Sequence, residues 1–464
     1  MRWEDCYTNQ RSGTETSTPS TRTDYQRDFD RLIFASSFRR LQNKTQVFPL
    51  PGSTFVHNRL THSLEVSSVG RSLGAIVGSH LASYDISADD TASQDFYFRD
   101  LPSVIAAACL AHDIGNPAFG HSGEKAIANY FIEHAETVIE GRTLREHFSS
   151  HEWQDLITFE GNANALRVMT HPYRDKPKTG MGLTYTTLAS IIKYPCSSTA
   201  TNKAYKHRKK YGFFKTEEST FQSIADTLQM EKEQDLPIIY KRHPFVYLVE
   251  AADDICYRII DLEDAQRLGI VSKNRAAECL LSILEQLNKS ESDKIHTTYK
   301  TIRDANDSIA YLRAKTINLL TELSAQCFID NKDDILAGTY VNTLIDQIEE
   351  STPALADLVS LSIKEIYRHH SVIEIEITGY HVMSHLLSLF VPAVLREQKI
   401  GTDRMALNLI PYQFTEYEKT DSSYLKAMSV VDFISGMTDS YATCLLYTSP
   451  SPRDQRGSRM PSSA

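Results

Sequence analysis

The chain has 464 residues, of which 41% are apolar and 23% charged, and a formal net charge of -10. This composition excludes the collagen-like, disordered and disulfide-rich classes and is typical of a globular protein with a large core. The negative charge argues against a general nucleic-acid coat, because such binding draws its affinity from a basic surface.

The N-terminal sequence MRWEDCYTNQ contains acidic residues and lacks the apolar core of a signal peptide. No apolar run approaches the roughly 20 residues that a membrane-spanning helix needs. The seven cysteines are widely spaced and form no CxxC pair, which indicates reduced packing residues. A cytoplasmic protein without membrane contact is therefore expected.

Apolar residues recur at helical spacing along most of the chain, whereas alternating runs typical of strands are few and short. The sequence predicts a mainly α-helical fold with at most a minor β-hairpin and no internal repeat. The predicted helices cover 59–82, 101–113, 124–134, 244–262, 275–288, 309–326 and 353–367, and the best strand candidates are 46–50 and 372–380.

Composition also predicts the domain organisation. Residues 1–25 are rich in Ser, Thr and Arg and are expected to be mobile, and 26–443 are expected to form one helical domain. Residues 444–464 form a low-complexity tail that cannot pack and looks foreign to the domain.

A basic segment lies within a predicted flap or insertion at 200–240. Residues 203–215, KAYKHRKKYGFFK, contain six Lys or Arg, no acid and four aromatic residues. One interpretation is a solvated, mobile insertion. The other is a flap that brings cations to a polyphosphate.

The strongest candidate for chemistry is the dipeptide His112-Asp113, which ends an apolar helix just before Gly115. Chance predicts about two His-acid dipeptides in this chain, so the dipeptide alone decides nothing. A buried carboxylate, however, needs a metal ion or a strong hydrogen-bonding partner. Both side chains can reach one ion only near the helix end, which the glycine break permits.

His62 and Asp253, each on a predicted helix, would complete a divalent site with His112 and Asp113. A mixed nitrogen and oxygen set suits Mn, Fe, Co, Ni or partly hydrated Mg better than structural zinc. The alternative is that His62 is a packing histidine and that Asp253 and Asp254 form a solvated turn.

Six blocks, in this order, resemble the HD-domain dNTP triphosphohydrolases, and in particular the bacterial deoxyguanosinetriphosphate triphosphohydrolases. The resemblance runs from about Arg27 to Ala442. The blocks are RRLQNKTQVFPL, NRLTHSLEV, LAHDIGNPAFGHSGE, FEGNANALRV, LTYTTLASIIKYP and YLVEAADDICYRIIDLEDA.

The resemblance implies a metal-dependent helical phosphohydrolase and a role for each matching residue. The metal set falls on His62, His112, Asp113 and Asp253, with Mg or Mn expected as the metal and Co, Ni or Fe as alternatives. The second catalytic pair falls on His121 and Glu124. The substrate-binding residues fall on Gln46, Arg59, Lys193, Tyr194, Lys210, Tyr257 and Asp261.

The spacing of Asp253, Tyr257 and Asp261 agrees with this, because positions i, i+4 and i+8 form one line on a helix. A nucleotide laid along that line would bring its phosphates to Asp253, its sugar to Tyr257 and its 3′-hydroxyl to Asp261.

The implied reaction is hydrolysis of dGTP, and of other dNTPs as an alternative, to deoxynucleoside and inorganic triphosphate by metal-activated water attack on the α-phosphate. Three other functions stay open: hydrolysis of another nucleotide phosphoester, a nucleotide- or single-strand-binding regulator, and a plain helical scaffold. The resemblance also implies a homo-oligomer, expected as a hexamer, with a nucleotide or single-stranded DNA as effector.

Overall fold

The computed structural model of the protein describes residues 1–12, 21–48 and 56–448. In this part of the chain helices dominate, which confirms the mainly α-helical prediction. The helices are α1 (Asp24–Phe34), α2 (Ser36–Arg40), α3 (Arg59–Tyr84), α4 (Thr91–Asp95), α5 (Leu101–Ala111), α6 (Gly120–Glu133), α7 (Ser150–Ile157), α8 (Gly161–Thr170), α9 (Tyr185–Ile191), α10 (Glu218–Thr227), α11 (Val246–Arg267), α12 (Lys273–Leu287), α13 (Ser292–Thr301), α14 (Ala305–Asp330), α15 (Lys332–Leu336), α16 (Leu344–Glu350), α17 (Pro353–Leu361), α18 (His370–Leu395), α19 (Gly401–Leu409), α20 (Ser423–Ser435) and α21 (Asp439–Thr448).

Two small antiparallel hairpins interrupt the helices of the described chain, where the sequence predicted at most one. Strand β1 (Val138–Ile139) pairs with β2 (Arg142–Thr143), and β3 (Lys232–Gln234) pairs with β4 (Ile239–Tyr240). Short 3-10 helices cover Trp3–Asp5, Leu41–Asn43, Leu144–His147, Ser198–Ala200, Lys206–Arg208, Lys215–Glu217 and Tyr412–Glu418, and π-helical turns cover Phe96–Asp100 and Ser362–Ile366.

Glycines line the contact of helix α3 with helix α5 and with the π-helical turn before α5. A Cβ atom at Gly70 would overlap Cys109 Sγ, and one at Gly78 would overlap the carbonyl oxygen of Tyr97. Helix α3 itself begins at a capping box, in which the Asn58 side chain accepts a hydrogen bond from Thr61 N. These glycine contacts fix the position of α3 relative to α5, and the cap fixes where α3 begins.

The buried apolar residues form two clusters. One is built around α3, α5, α11 and α14, and the other around α6, α18 and α20. Ile114 belongs to the first cluster and Ala118 to the second. The loop that follows α5 therefore passes from one core to the other, and both of its ends are held by packing.

The N-terminal segment, predicted to be mobile over 1–25, is packed over residues 1–12. Trp3 and Cys6 are buried, and the Tyr7 ring stacks on Phe96 with ring centroids 3.9 Å apart. Arg11 Nη1 lies 2.5 Å from Asp28 Oδ1. Aromatic and ion-pair partners far along the chain hold the segment, and composition alone does not reveal them. Residues 13–20 lie outside the described residues.

The prediction of a strand at 372–380 is wrong, because these residues lie in α18. The alternation of Ile and Glu there suggested period two, but burial along α18 falls on Val372, Gly379, Val382 and Leu386 at helical spacing. Helix α18 is long and apolar enough to cross a membrane by length and composition, yet half of its most apolar stretch is buried inside the protein, as in a core helix.

Two further predictions touch undescribed residues. Of the strand candidate 46–50, residues 46–48 form bends and 49–50 lie outside the described part. The expected domain end at 443 falls inside α21, in which Ala442 and Leu445 are buried. The rest of the predicted tail, from 449, lies outside the described residues.

The basic segment 203–215 is attached to the helical body by buried rings. Phe213 and Phe214 are fully buried, and Lys206 Nζ lies 2.8 Å from Asp346 Oδ2. The segment therefore rests on the protein surface through both apolar and ionic contacts.

Candidate metal and nucleotide site

Two imidazoles and a carboxylate meet where α3, α5 and α11 approach one another. His62 Nε2 lies 3.1 Å from Asp253 Oδ1, and His112 Nε2 lies 3.5 Å from the same oxygen. One ligand atom of each of the three residues lies within 4.8 Å of the others. Three helices thus bring together residues that are up to 191 positions apart.

The tautomer of His112 leaves a nitrogen directed at this cluster. Its Nδ1 lies 2.6 Å from the carbonyl oxygen of Cys109, which only accepts, so Nδ1 donates. His112 Nε2 is buried and has no hydrogen-bond partner among the described residues. An imidazole oriented in this way, beside a second imidazole and a carboxylate, fits a divalent metal ion.

Asp253 is held as a carboxylate by the same geometry. Burial would raise its pKa, but His112 and His62 lie against it and hold the pKa well below its usual range. An ionised carboxylate with two imidazoles forms a ligand set of borderline hardness, which favours a divalent cation.

Asp113 is beside the cluster but is already engaged. Its Oδ2 accepts a 2.6 Å hydrogen bond from Arg59 Nη1 and lies 3.7 Å from His112 Nε2, and its Oδ1 accepts from Asn116 Nδ2. Burial would raise the pKa of Asp113, but Arg59 and the imidazoles hold it below its ordinary value. Asp113 thus remains a charged neighbour of the other three ligands.

A cavity of about 620 Å³ opens in front of the cluster. His62 lies behind its wall, and Asp261 lies outside its lining. The other residues predicted for the site all line this cavity: Gln46, Arg59, His112, Asp113, His121, Glu124, Lys193, Tyr194, Lys210, Asp253 and Tyr257.

His121 and Glu124 form a hydrogen-bonded pair at the start of α6. His121 Nδ1 lies 2.8 Å from Glu124 Oε2, and Glu124 Oε1 accepts a 2.8 Å hydrogen bond from the backbone of Gly161. The His121 side chain is 72% exposed, whereas Glu124 is buried. The buried carboxylate therefore orients an imidazole that stands open to a ligand in the cavity.

The predicted cations reach the cavity already paired with carboxylates. Lys193 Nζ lies 3.0 Å from Glu250 Oε1, and Lys210 Nζ lies 2.9 Å from Glu160 Oε1. Arg242 Nη1 approaches the second oxygen of Glu250 at 3.0 Å. Burial would lower the pKa of Lys193, but Glu250 holds it above its usual value.

The line of residues on α11 is only partly as predicted. Asp253 and Tyr257 face the cavity, but Asp261 accepts a 2.8 Å hydrogen bond from the Tyr367 hydroxyl. The Tyr257 and Tyr367 rings stack at 25° with centroids 5.5 Å apart. Asp261 is 4% exposed, and burial raises its pKa to about 8. Tyr367 therefore stands between Asp261 and the cavity.

Sequence reasoning missed four residues of the site. Glu160 and Glu250 belong to blocks that were recognised, but each lies far in sequence from the lysine that it binds, so no local pattern identifies the pairs. Tyr367 lies more than a hundred residues from Asp261, and no local pattern identifies it. Asn116, which binds Asp113, lies in the same loop and carries no pattern of its own.

Comparisons with known proteins agree with this site. The HD domain pattern matches residues 59–231, and the phosphohydrolase-associated domain matches 348–446. A deoxyguanosinetriphosphate triphosphohydrolase-like protein of Synechocystis sp. is 35% identical over 455 residues, covering 96% of this chain and 98% of that protein. A protein with the same name from Listeria monocytogenes is 35% identical, covering 95% and 98%. The deoxyguanosinetriphosphate triphosphohydrolase of Salmonella typhimurium is 30% identical, covering 90% and 92%.

Proposed function

The chain belongs to the deoxyguanosinetriphosphate triphosphohydrolase family of HD-domain hydrolases, and from this premise we propose that it hydrolyses dGTP to deoxyguanosine and inorganic triphosphate. Other dNTPs are the alternative substrates. The observation that carries the proposal is the buried, unpartnered His112 Nε2 beside His62 and Asp253 at the wall of a cavity lined with cations.

His62, His112 and Asp253 are proposed to hold the divalent metal that the HD domain implies, with Asp113 completing the set. A metal ion bound there offsets phosphate charge and makes water more acidic. Mg or Mn is proposed, because carboxylates and imidazoles together suit both, with Co, Ni or Fe as alternatives.

Three cations of the cavity wall are proposed to bind the triphosphate. Arg59 lies beside Asp113, and Lys193 and Lys210 each lie within 3.0 Å of a carboxylate that a phosphate oxygen would replace. Tyr194 is buried beside Lys193 and supplies a hydroxyl on the same wall. Together these groups would hold the tail so that the α-phosphorus faces the water that attacks it.

His121 is proposed to transfer the proton that the leaving 5′-oxygen requires. Glu124 accepts the hydrogen bond of His121 Nδ1, so Nε2 is the nitrogen that exchanges protons with the substrate. The carboxylate also fixes the orientation of the imidazole. A positioned acid of this kind contributes roughly 100- to 10,000-fold to rate.

Gln46 and Tyr257 are proposed to contact the deoxyribose. Gln46 Oε1 is buried and has no hydrogen-bond partner among the described residues, so it can accept from a sugar hydroxyl. The stacked pair of Tyr257 and Tyr367 presents an aromatic wall to the same cavity. These groups would leave no room for a ribose 2′-hydroxyl. Asp261 is proposed to act on the sugar through Tyr367.

The finer context of the enzyme is also proposed. We propose a cytoplasmic homo-oligomer, expected as a hexamer, with a nucleotide or single-stranded DNA as effector, on the resemblance described for the sequence. Light scattering with and without dGTP measures the oligomer, and a dimer or monomer under both conditions overturns that part.

The decisive test is to incubate the protein with each dNTP and with GTP, in Mg and in Mn, and to separate the products by chromatography. Deoxyguanosine and triphosphate are expected, with no product from His112→Ala or Asp113→Ala. His134→Ala is the matched control, because this imidazole binds the backbone of its own helix and not the cavity. Diphosphate or monophosphate as product would assign the site to another phosphoester, and nucleotide binding without any product would assign a regulator.

A further inference from the structure

The Asp439 carboxylate binds two backbone amides from distant parts of the chain. Its Oδ2 accepts a 2.8 Å hydrogen bond from Thr45 N, and its Oδ1 accepts a 2.9 Å hydrogen bond from Phe119 N. Asp439 is the first residue of α21 and is 8% exposed. Each oxygen serves a different segment, so one side chain fixes the separation of the two segments.

The two amides belong to the segments that carry proposed substrate contacts. Thr45 immediately precedes Gln46, and Phe119 is two residues before His121. Phe119 has a φ of 60°, in the left-handed region that a phenylalanine rarely adopts. A conformation of this kind costs on the order of 1 kcal/mol and persists only where surrounding contacts impose it. The hydrogen bond that Phe119 N donates to Asp439 Oδ1 is one such contact.

Lys44 joins the same three segments a second time. Its Nζ donates to the carbonyl oxygen of Asn116 at 2.5 Å and to that of Ser435 at 2.9 Å. Lys44 is 3% exposed, so these bonds form away from water. The ammonium and the carboxylate together tie residues 44–45 and 116–119 to the end of α20 and the start of α21.

Helix α18 closes the opposite side of the loop. A Cβ atom at Gly379 would overlap the Phe119 side chain, so α18 packs directly against that ring. Phe119 is therefore confined between a helix face and the Asp439 carboxylate. None of these contacts involves His62, His112 or Asp253.

We propose that Asp439 is a positioning residue that, with Lys44, sets the distance between Gln46 and His121, and so aligns the sugar of the substrate with the imidazole that transfers the proton. The phosphohydrolase-associated segment 348–446, which contains Asp439, then completes a site whose metal ligands lie elsewhere. This inference rests on the proposed function for its kinetic consequences and on the structure alone for its effect on the two amides.

The test is Asp439→Asn, which keeps the size of the side chain and removes one of its two acceptors. The expected result is a fall in kcat of at least about tenfold and a several-fold loss of discrimination between dGTP and GTP. Affinity for Mn, measured by calorimetry without nucleotide, should stay within about twofold, because Asp439 contacts no metal ligand.

The matched control is Asp403→Asn. Asp403 is also a buried carboxylate that accepts from a backbone amide, that of Ile400 at 3.1 Å, but it lies outside the cavity and binds Arg396. This variant should lose stability without change in kcat or discrimination. A fall in melting temperature of Asp439→Asn with kcat and discrimination retained would reduce Asp439 to a structural role and overturn the proposal.

Hydrogen exchange gives a measurement that does not depend on activity. At least one of the amides of Thr45 and Phe119 should exchange faster in Asp439→Asn than in the original protein, and both should exchange at the original rate in Asp403→Asn. If the original protein hydrolyses no dNTP, the proposed function fails, and faster exchange at either amide still supports the positioning role. Unchanged exchange overturns it. Should Asp439→Asn not fold, Lys44→Met removes the other tie, and a retained kcat and discrimination in that variant would overturn the proposal.

Discussion

Arg59 Nη1 lies 2.6 Å from Asp113 Oδ2, so a guanidinium occupies one oxygen of a carboxylate that was predicted as a metal ligand. Both residues are buried, and they lie 54 positions apart in the chain. The pair offsets a buried negative charge next to the imidazoles. It also makes Arg59 a link between the proposed metal ligands and the proposed phosphate site.

We expect Arg59→Gln to lower kcat/KM for dGTP by about 100-fold, since it removes a buried charge pair and a phosphate contact together, roughly 3 kcal/mol. Steady-state kinetics measure this. Arg99→Gln is the control, because Arg99 is exposed and pairs with Asp95 on the surface. A kcat/KM within twofold of the original value would show that neither the pair with Asp113 nor a phosphate contact of Arg59 contributes to catalysis.

Glu124→Gln should lower kcat by about 10- to 100-fold with little change in KM, because the amide carries no charge behind His121 and offers one acceptor oxygen for the two groups that Glu124 binds, His121 Nδ1 and Gly161 N. Glu133→Gln, at the exposed end of the same helix, should leave both constants unchanged. If KM for Glu124→Gln rose by as large a factor as kcat is expected to fall, the variant would have lost substrate binding instead.

Asp261 and Tyr367 share one hydrogen bond, and a double-mutant cycle tests whether Asp261 acts only through it. We expect Asp261→Asn and Tyr367→Phe each to raise KM for dGTP several-fold, and the double variant to behave like either single one. Fully additive effects would mean that Asp261 contacts the substrate by itself.

His243 should make the stability of the fold pH-dependent. Burial lowers its pKa from 6.5 to about 4, while its Nε2 lies 3.0 Å from the carbonyl oxygen of Cys6. Between pH 4 and 6.5 the unfolded chain binds more protons than the folded one, so stability falls as pH drops through this range and is constant above it.

The expected loss from His243 between pH 7 and pH 5 is about 2 kcal/mol of unfolding free energy. Urea unfolding of the original protein and His243→Gln at both pH values measures it. The difference between the two proteins should shrink at pH 5. A difference that is the same at both pH values would contradict the prediction.

The sequence predicted the helices well where one face is buried, as in α12, because burial there imposes a 3.6-residue period on the apolar positions of the sequence. It failed at 372–380, where three isoleucines alternate with polar residues. The evidence that these residues are helical lies in the apolar residues that follow them, which continue the same helix α18. Long-range packing also holds the N-terminal Trp3, whose partners Tyr97 and Phe328 are far away in sequence.

For the site, the residue blocks predicted which side chains meet in one cavity but not how they are paired. The spacing on α11 correctly aligned Asp253 with Tyr257, since both belong to a single helix. The hydroxyl that covers Asp261 comes from a separate turn after α17, and the carboxylates that hold Lys193 and Lys210 come from other helices or loops. Such pairings depend on tertiary contacts that no local spacing encodes.

The pairing of Lys193 with Glu250 and of Lys210 with Glu160 bears on which anions the cavity admits. Each lysine already lies beside a carboxylate, although Glu250 also binds Arg242, so an incoming ligand must exchange partners with these carboxylates. A single phosphate gains little from that exchange, because the carboxylate that it displaces has a similar charge and stays close enough to repel it. A chain of linked phosphates can displace several neighbours at once and keep all its contacts. If Lys193 and Lys210 bind phosphate as proposed, we expect these ion pairs to favour a chain of linked phosphates over a single phosphate.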